Sequence, residues 1–460
     1  MLSQSNTVDH HEDRSEHDHH SNNNNGTSLS IDCIEHILSC MRLKDRISIS
    51  LINHDWNRGF EKSVKTLMIT KTKSKAWLQD FKKFRGFIKR FPEIQNFTLE
   101  SPIEVSRAKD ETTMWFSMNV VQTLLDELPS SLKSFTLSHF ALGLSSKTFE
   151  LVIPESKQLR ELTFINCKRA HGLTVSNCGN LRSLSVSWGS FFIKNSGFEE
   201  LKNLRYLNLS NNKVVTDELL DNIVKNCPSL EKLVLVGCLN IQSPFKDVNL
   251  NCLKYLDLSA TNIRDSCIEN ICSGTALNLE ELRLRTCMGL VSPSFKDIPS
   301  IKIIGSQFNA GIQTASFHKL RRLEKIDLDG NICLKKIYIS QCKSIIYLDV
   351  SKTLINDEAL EEIFSECPEL KQFFAIKCYK LKSPKLVHSK LEEIRCTNSC
   401  YLTKNTVFDC PNIISQHFIG TILGPGEFTV PLVLREDVAE AAELAKAGMV
   451  KNHVNRLNKF

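Results

Sequence analysis

Two stretches of this 460-residue chain, LRYLNLSNN at 204–212 and LEKIDLDGN at 323–331, share one frame: apolar at places one, four and six, asparagine at place nine. Alternation across places four to six is the period of a strand with one buried side. The same frame starts at Leu132, Leu159, Leu181, Leu204, Leu230, Leu253, Leu279, Ile301, Leu323, Ile345, Leu370 and Leu391. From Leu204 onward the starts lie 26, 23, 26, 22, 22, 22, 25 and 21 residues apart. A period of this size, with one short strand in each unit, leaves every unit's apolar edge bare until a neighbour stacks on it. Earlier in the chain, Val64-Leu67-Ile69 and Ile94-Phe97-Leu99 repeat the frame. The unit at Ile301 breaks it, with Ser306 at the sixth place.

The units come in two kinds. Longer ones carry an acidic residue followed by apolar residues at helical spacing, as in Asp217-Leu220-Ile223, Asp265-Ile268-Ile271 and Asp357-Leu360-Ile363. These predict short helices whose acidic starts suit the positive end of the helix dipole. Shorter ones read Cys238-Ile241-Ser243-Pro244, Cys287-Leu290-Ser292-Pro293 and Cys378-Leu381-Ser383-Pro384, where proline disfavours a helix. Tight units 22 residues apart, with the extra frame Leu334-Ile337-Ile339, predict a return through extended chain. Cys238, Cys287, Cys342 and Cys378 take the asparagine place as small buried hydrophobes.

This pattern resembles the leucine-rich repeats, and the two alternating kinds resemble their cysteine-containing subclass. The implied fold is an α/β solenoid, or horseshoe. Strand alternation then sends places three, five and seven to its concave face. That selects Tyr206, Tyr255, Asp257, Arg283, Arg285, Asp327, Asp329, Tyr347 and Asp349 as candidate contacts for a protein partner, tyrosine and arginine being common interface anchors. The competing reading is a solvated face whose charges pair across strands.

Ahead of the repeats, residues 29–56 read LSIDCIEHILSCMRLKDRISISLINHDW, with apolar residues at helical spacing. So short a segment cannot bury a core alone and needs a docking surface. It resembles an F-box, aligning without a gap through Leu29, Asp32, Ile34, Ile37, Leu38, Met41, Lys44, Asp45, Ser50, Leu51 and Trp56. Ser30 stands where that motif has proline, Arg46 where it has an apolar residue, and Asn53 where it often has cysteine. An F-box followed by leucine-rich repeats resembles the substrate receptors of SCF-type ubiquitin ligases. The resemblance implies a Skp-type adaptor, which links to a cullin, held through Leu29, Ile34, Ile37, Leu38, Leu51 and Trp56. The repeats would hold the target protein. The alternative is a repeat scaffold with a helical cap and no ligase connection.

The expected divisions are a His/Asn-rich disordered tail at 1–27, the F-box at 28–62, and divergent first repeats at 63–131 with a basic amphipathic helix. The main repeats follow at 132–420, and an extension with an Ala-rich helix at 421–460. The basic helix carries Trp77, Phe81, Phe84, Ile88 and Phe91 on one side, which suits docking onto neighbouring repeats. Phosphate-binding glycine loops and the hydrolase and metalloprotease motifs are absent, so no catalytic residue and no cofactor is expected. The 17 cysteines lack metal-site spacing, and no metal is expected. A net charge of +6 on this length does not point to nucleic acid. Nothing approaches the roughly 18 apolar residues of a membrane span. A polar start carrying Asp9, Glu12 and Asp13 is unlike a signal peptide, so the expected location is cytoplasmic, nuclear or both.

Overall fold

The computed structural model describes residues 29–41, 45, 50, 53–70, 81–101, 121, 122, 124–127, 129–140, 150–154, 157–167, 172–175, 178–188, 195–399 and 407–417. The tail at 1–27, Leu51, Trp77 and the extension at 421–460 lie outside them. The chain forms two compact units, residues 1–64 and 65–460.

In the first unit, the helices Ile31–Ser39 and His54–Ser63 pack together. Both begin on a side-chain cap. Ser30 Oγ accepts the Cys33 amide at 3.2 Å, and Asn53 Oδ1 accepts the Trp56 amide at 3.0 Å. Two of the three departures from the F-box pattern are therefore N-caps, each satisfying an amide that the helix leaves free. Ile34 and Leu38 are buried, and Gly59 sits so close to Ile34 that a β-carbon would overlap its side chain.

The second unit is built on one parallel sheet of fifteen strands in chain order, from Thr66–Ile69 to Ser415–His417. Every frame start named above except the extra one at Leu334 heads a strand of this sheet, and so does Ile413. The register is unbroken: Tyr206 pairs with Lys232, Lys232 with Tyr255, and Tyr255 with Glu281. It continues through Ile303, Lys325, Tyr347 and Gln372. Places four and six of successive strands, such as Leu207, Leu209, Leu256, Leu258, Ile326 and Leu328, have no solvent exposure. This is a leucine-rich-repeat solenoid.

The unit at Ile301 keeps its strand, Ile303–Gly305, despite the polar sixth place. Buried Ser306 is satisfied by the asparagines at place nine. Its Oγ accepts Asn309 Nδ2 and its carbonyl accepts Asn331 Nδ2, both at 2.8 Å. A buried hydroxyl is tolerated once paired. In three other units the ninth place holds a cysteine whose thiol donates back to the preceding unit: Cys238 to the Leu209 carbonyl at 3.1 Å, Cys287 to Leu258 at 3.2 Å and Cys378 to Val350 at 3.1 Å. Burial pushes the Cys238, Cys287 and Cys378 thiols up to about 11, so they stay protonated.

Opposite the long sheet, the return segments follow the two kinds of unit. Helices span Asp217–Asn226, Asp265–Ile271 and Asp357–Glu366. In the tight units the return is a second parallel sheet of Ser294–Lys296, Thr314–His318 and Lys336–Ser340. The acidic helix starts do more than meet a dipole. The Asp217 carboxylate accepts the Gln242 and Ser243 amides at 2.9 and 2.8 Å, and Asp265 accepts those of Val291 and Ser292 at 3.1 and 2.8 Å. Asp357 accepts the Lys382 and Ser383 amides, both at 2.8 Å. Each long unit thus grips the Ser-Pro turn of the short unit after it.

A second feature escapes the frame. Place eight has positive φ at His139, Asn166, Trp188, Asn211, Gly237, Ala260, Thr286, Phe308, Gly330, Lys352, Lys377 and Asn398. The left-handed turn lets each amide donate to the next unit's seventh residue, as from Phe308 to the Asp329 carbonyl and from Lys352 to Ile376, at 2.8 and 2.7 Å. Ten of these twelve residues are not glycine, so the bond repays a local strain.

The basic helix is Phe81–Lys89. Phe84, Ile88 and the following Phe91 are buried, while Arg85 and Lys89 both pair with Glu127.

Candidate functional site

Because the ladder is in register, the side chains at places three, five and seven form three straight rows on the face opposite the core. Row three reads Tyr206, Lys232, Tyr255, Glu281, Ile303, Lys325, Tyr347 and Gln372. Row five reads Asn208, Val234, Asp257, Arg283, Gly305, Asp327, Asp349 and Phe374. Neighbours in a row stand about 4.8 Å apart, one strand spacing, close enough for side chains to interact along it.

Row three is bound by cations over aromatic rings. Lys232 Nζ lies 4.4 Å from the Tyr255 ring centre, and Lys325 Nζ lies 4.2 Å from that of Tyr347. Arg283 approaches Tyr255 at 5.6 Å and donates to Glu281 at 2.6 Å. The Glu281 contact, first of all, holds the guanidinium above its ordinary range. Burial, and then the negative charge of Asp257, push the Tyr255 hydroxyl up to about 12.

Gly305 leaves a gap in row five, between a pair of arginines and a group of aspartates. Arg283 and Arg285 stand on one side of it, and Asp327, Asp329 and Asp349 on the other. Gln307 donates to Asp327 at 2.8 Å, and Lys352 donates to both Asp329 oxygens at 2.8 and 3.0 Å. Arg285 is exposed and lies 4.9 Å from the Phe308 ring centre, with no carboxylate partner among the described residues.

The face does not present all nine candidates equally. Arg283 and Arg285 are exposed, while Tyr206, Tyr255, Asp327, Asp329, Tyr347 and Asp349 are half-buried. Asp257 is 8% exposed and occupied internally, accepting the Ser259 amide at 3.0 Å and the Tyr255 hydroxyl at 3.3 Å. It serves as a brace for the face. Sequence reading missed Phe308 and Lys352, which reach the same margin from place eight. The repetition of that place across units was the available signal.

Asp349 is the titratable centre. Burial pushes its carboxyl up to about 6, the Ser351 bonds oppose the rise, and Asp327 and Asp329 add to it. The folded carboxyl therefore holds its proton more tightly than the unfolded one, near 3.9. Its stabilising contribution is full below about pH 4 and is lost as pH rises through about 6. Two units correspond to nearly 3 kcal/mol, but a half-buried group keeps solvent screening. Asp349→Asn is expected to stabilise the chain by about 1 kcal/mol at pH 7.5 and by nothing at pH 4. Urea midpoints at the two pH values check this, and an equal shift at both would refute it.

The first unit offers a different surface. Leu29 and Ile37 are 48% and 39% exposed, Trp56 is half-buried, and Ile34 and Leu38 are core. Of the six candidate adaptor residues, the exposed pair can touch a partner while Ile34 and Leu38 hold the helices together. Leu51 lies outside the described residues.

A family model described as FBD-associated F-box protein At5g56370, LRR repeats, matches residues 150–318, within the second unit. Putative disease resistance protein At4g19050 of Arabidopsis thaliana is 23% identical over 256 residues, 50% of this chain and 21% of that protein. This chain thus spans about a fifth of that relative's length. Among solved structures, the TLR13–ssRNA13 complex is similar at 15% identity and a TM-score of 0.48, over 76% of this chain and 53% of that one. The LRR protein LIC12759 of Leptospira interrogans is similar at 14% identity and a TM-score of 0.43, over 82% and 95%. The repeats of this chain resemble those of an F-box-associated family.

Proposed function

We propose that this chain is the substrate-recognition subunit of an SCF-type ubiquitin ligase in the cytoplasm or nucleus. Residues 29–56 dock on a Skp-type adaptor that links to a cullin, and the face built on Tyr206 to Phe374 holds the target protein. The receptor performs no chemistry. The observation that carries the reading is an F-box-like segment with two apolar residues left exposed, Leu29 and Ile37, in a chain whose repeats match an F-box-associated family. The exposed arginine pair and the aspartate group on either side of Gly305 support the second half, since opposed charges fix the orientation of a bound protein. The described cysteines are all unbridged, in keeping with a reducing compartment.

The test is co-purification of a Skp-type adaptor and a cullin with the full chain. Leu29→Asp with Ile37→Asp, both on the surface, is expected to weaken adaptor capture at least tenfold while the melting temperature holds. Arg283→Glu with Arg285→Glu is expected to lose target proteins and keep the adaptor. If the intact chain captures neither adaptor nor cullin, the ligase reading fails and the scaffold reading takes its place.

A further inference from the structure

Place ten follows the left-handed turn and stands at the carboxyl-end margin of the long sheet. At this place Leu239, Met288, Ile332 and Tyr379 are 49%, 76%, 57% and 46% exposed. Solvated loop positions are ordinarily polar, and exposed apolar side chains repeated along one margin point to an interaction site. These four belong to every second unit, starting at Leu230, Leu279, Leu323 and Leu370. They are therefore spaced by two strand separations, about 9.6 Å. Between Met288 and Ile332, the ring of Phe308 adds a further 38% exposed apolar surface from place eight.

The charge beside this ridge is mostly positive. Places eight to thirteen of the units from Leu230 to Leu370 carry exposed Arg264, Lys335, Lys377, Lys380 and Lys382, and none of these has a carboxylate partner among the described residues. The acids at those places, Asp265 and Asp357, are occupied by the backbone amides of the next unit.

We propose that this margin binds an acidic amphipathic helix of a partner protein, laid along the ridge across the strands. The spacing suits a helix. Side chains seven residues apart on one helix face are about 10.5 Å apart, near the 9.6 Å between knobs. Same-side residues of an extended segment repeat at about 6.7 Å and fall out of step at once. Apolar residues of the helix seat between Leu239, Met288, Ile332 and Tyr379, and its flanking carboxylates meet the unpaired lysines. This surface borders the row-three and row-five face at Phe308 but is built on place ten, so it is a second binding site and not a refinement of the first.

The probe is a fluorescent helical peptide of about 22 residues, with leucine in a heptad pattern and glutamate on its flanks, titrated against the full chain. A scramble of the same composition and vesicles of mixed phosphatidylserine and phosphatidylcholine are the comparisons. The peptide is expected to bind at least tenfold tighter than its scramble. Met288→Asp with Ile332→Asp is expected to remove that advantage without lowering the melting temperature, since both side chains are on the surface. Equal binding of peptide and scramble, indifference to the two substitutions, or uptake by vesicles in place of the peptide would each overturn the proposal. Adaptor capture by the same double variant separates this outcome from failure of the ligase reading.

Discussion

Alanine at both Asp265 and Asp357 is expected to cost the repeat unit about 4 kcal/mol, about 2 kcal/mol for each residue. Each carboxylate accepts two backbone amides of the following Ser-Pro turn at 2.8 to 3.1 Å. A hydrogen bond to a charged group contributes roughly 1.5–3 kcal/mol, and partial exposure of the turns lets water replace some of it. The two sites lie several units apart and share no partner, so their effects add. Asparagine offers one acceptor oxygen in place of two, so Asp357→Asn is expected to retain about half of the stabilisation. Urea unfolding supplies the magnitude. Hydrogen exchange at the Lys382 and Ser383 amides supplies the location, because exchange there must quicken in Asp357→Ala before global unfolding. A loss under about 0.5 kcal/mol, the usual limit for plain surface changes, would mean that the carboxylates do not join the units.

Gly289→Ala is expected to destabilise by about 3 kcal/mol, the range of backbone clashes that cannot relax. A β-carbon there would lie 2.5 Å from the Ile263 carbonyl oxygen and 2.8 Å from that of Asn262. Both are main-chain atoms at the Arg264–Gly289 bridge between neighbouring units, so neither can swing aside as a side chain would. Gly86 is the control. It is exposed within the helix Phe81–Lys89, and a β-carbon there would meet nothing within 4 Å. Gly86→Ala is expected to stabilise by about 0.5–1 kcal/mol through helix propensity alone. Thermal denaturation of the two variants should move in opposite directions, and a neutral Gly289→Ala would show that the units are not packed this closely.

The frame made the strand positions legible because period-two burial is written in the residue types themselves. Leu207 and Leu209 are apolar because they are core. The helices after Asp217, Asp265 and Asp357 were legible for the same reason. The left-handed column at place eight was not, since threonine, phenylalanine and lysine carry no preference for positive φ. It shows only when repeats are compared place by place. The face was half legible. Alternation predicted which side chains leave the core, but not that Asp257 would be tied to Ser259 and Tyr255, nor that Arg285 would lack a carboxylate. Those outcomes depend on the next strand's residues, which register brings into contact. In residues 29–56, Ile37 and Leu38 are equivalent by composition. Only the packing of the second helix buries one and leaves the other 39% exposed.

The grip of each long unit's aspartate on the turn behind it fixes the increments in which such an array can grow or shrink. Excision of 253–278 alone would set the Val291 and Ser292 amides against a neighbour that has Gln242 at the corresponding place and no carboxylate to receive them. Excision of 253–300 removes donor and acceptor together, although it also removes the strand that pairs with Thr314–His318. Where a long unit precedes a short one, the length of this solenoid can therefore change by the pair more easily than by one repeat, and shortened or lengthened versions should keep the two together.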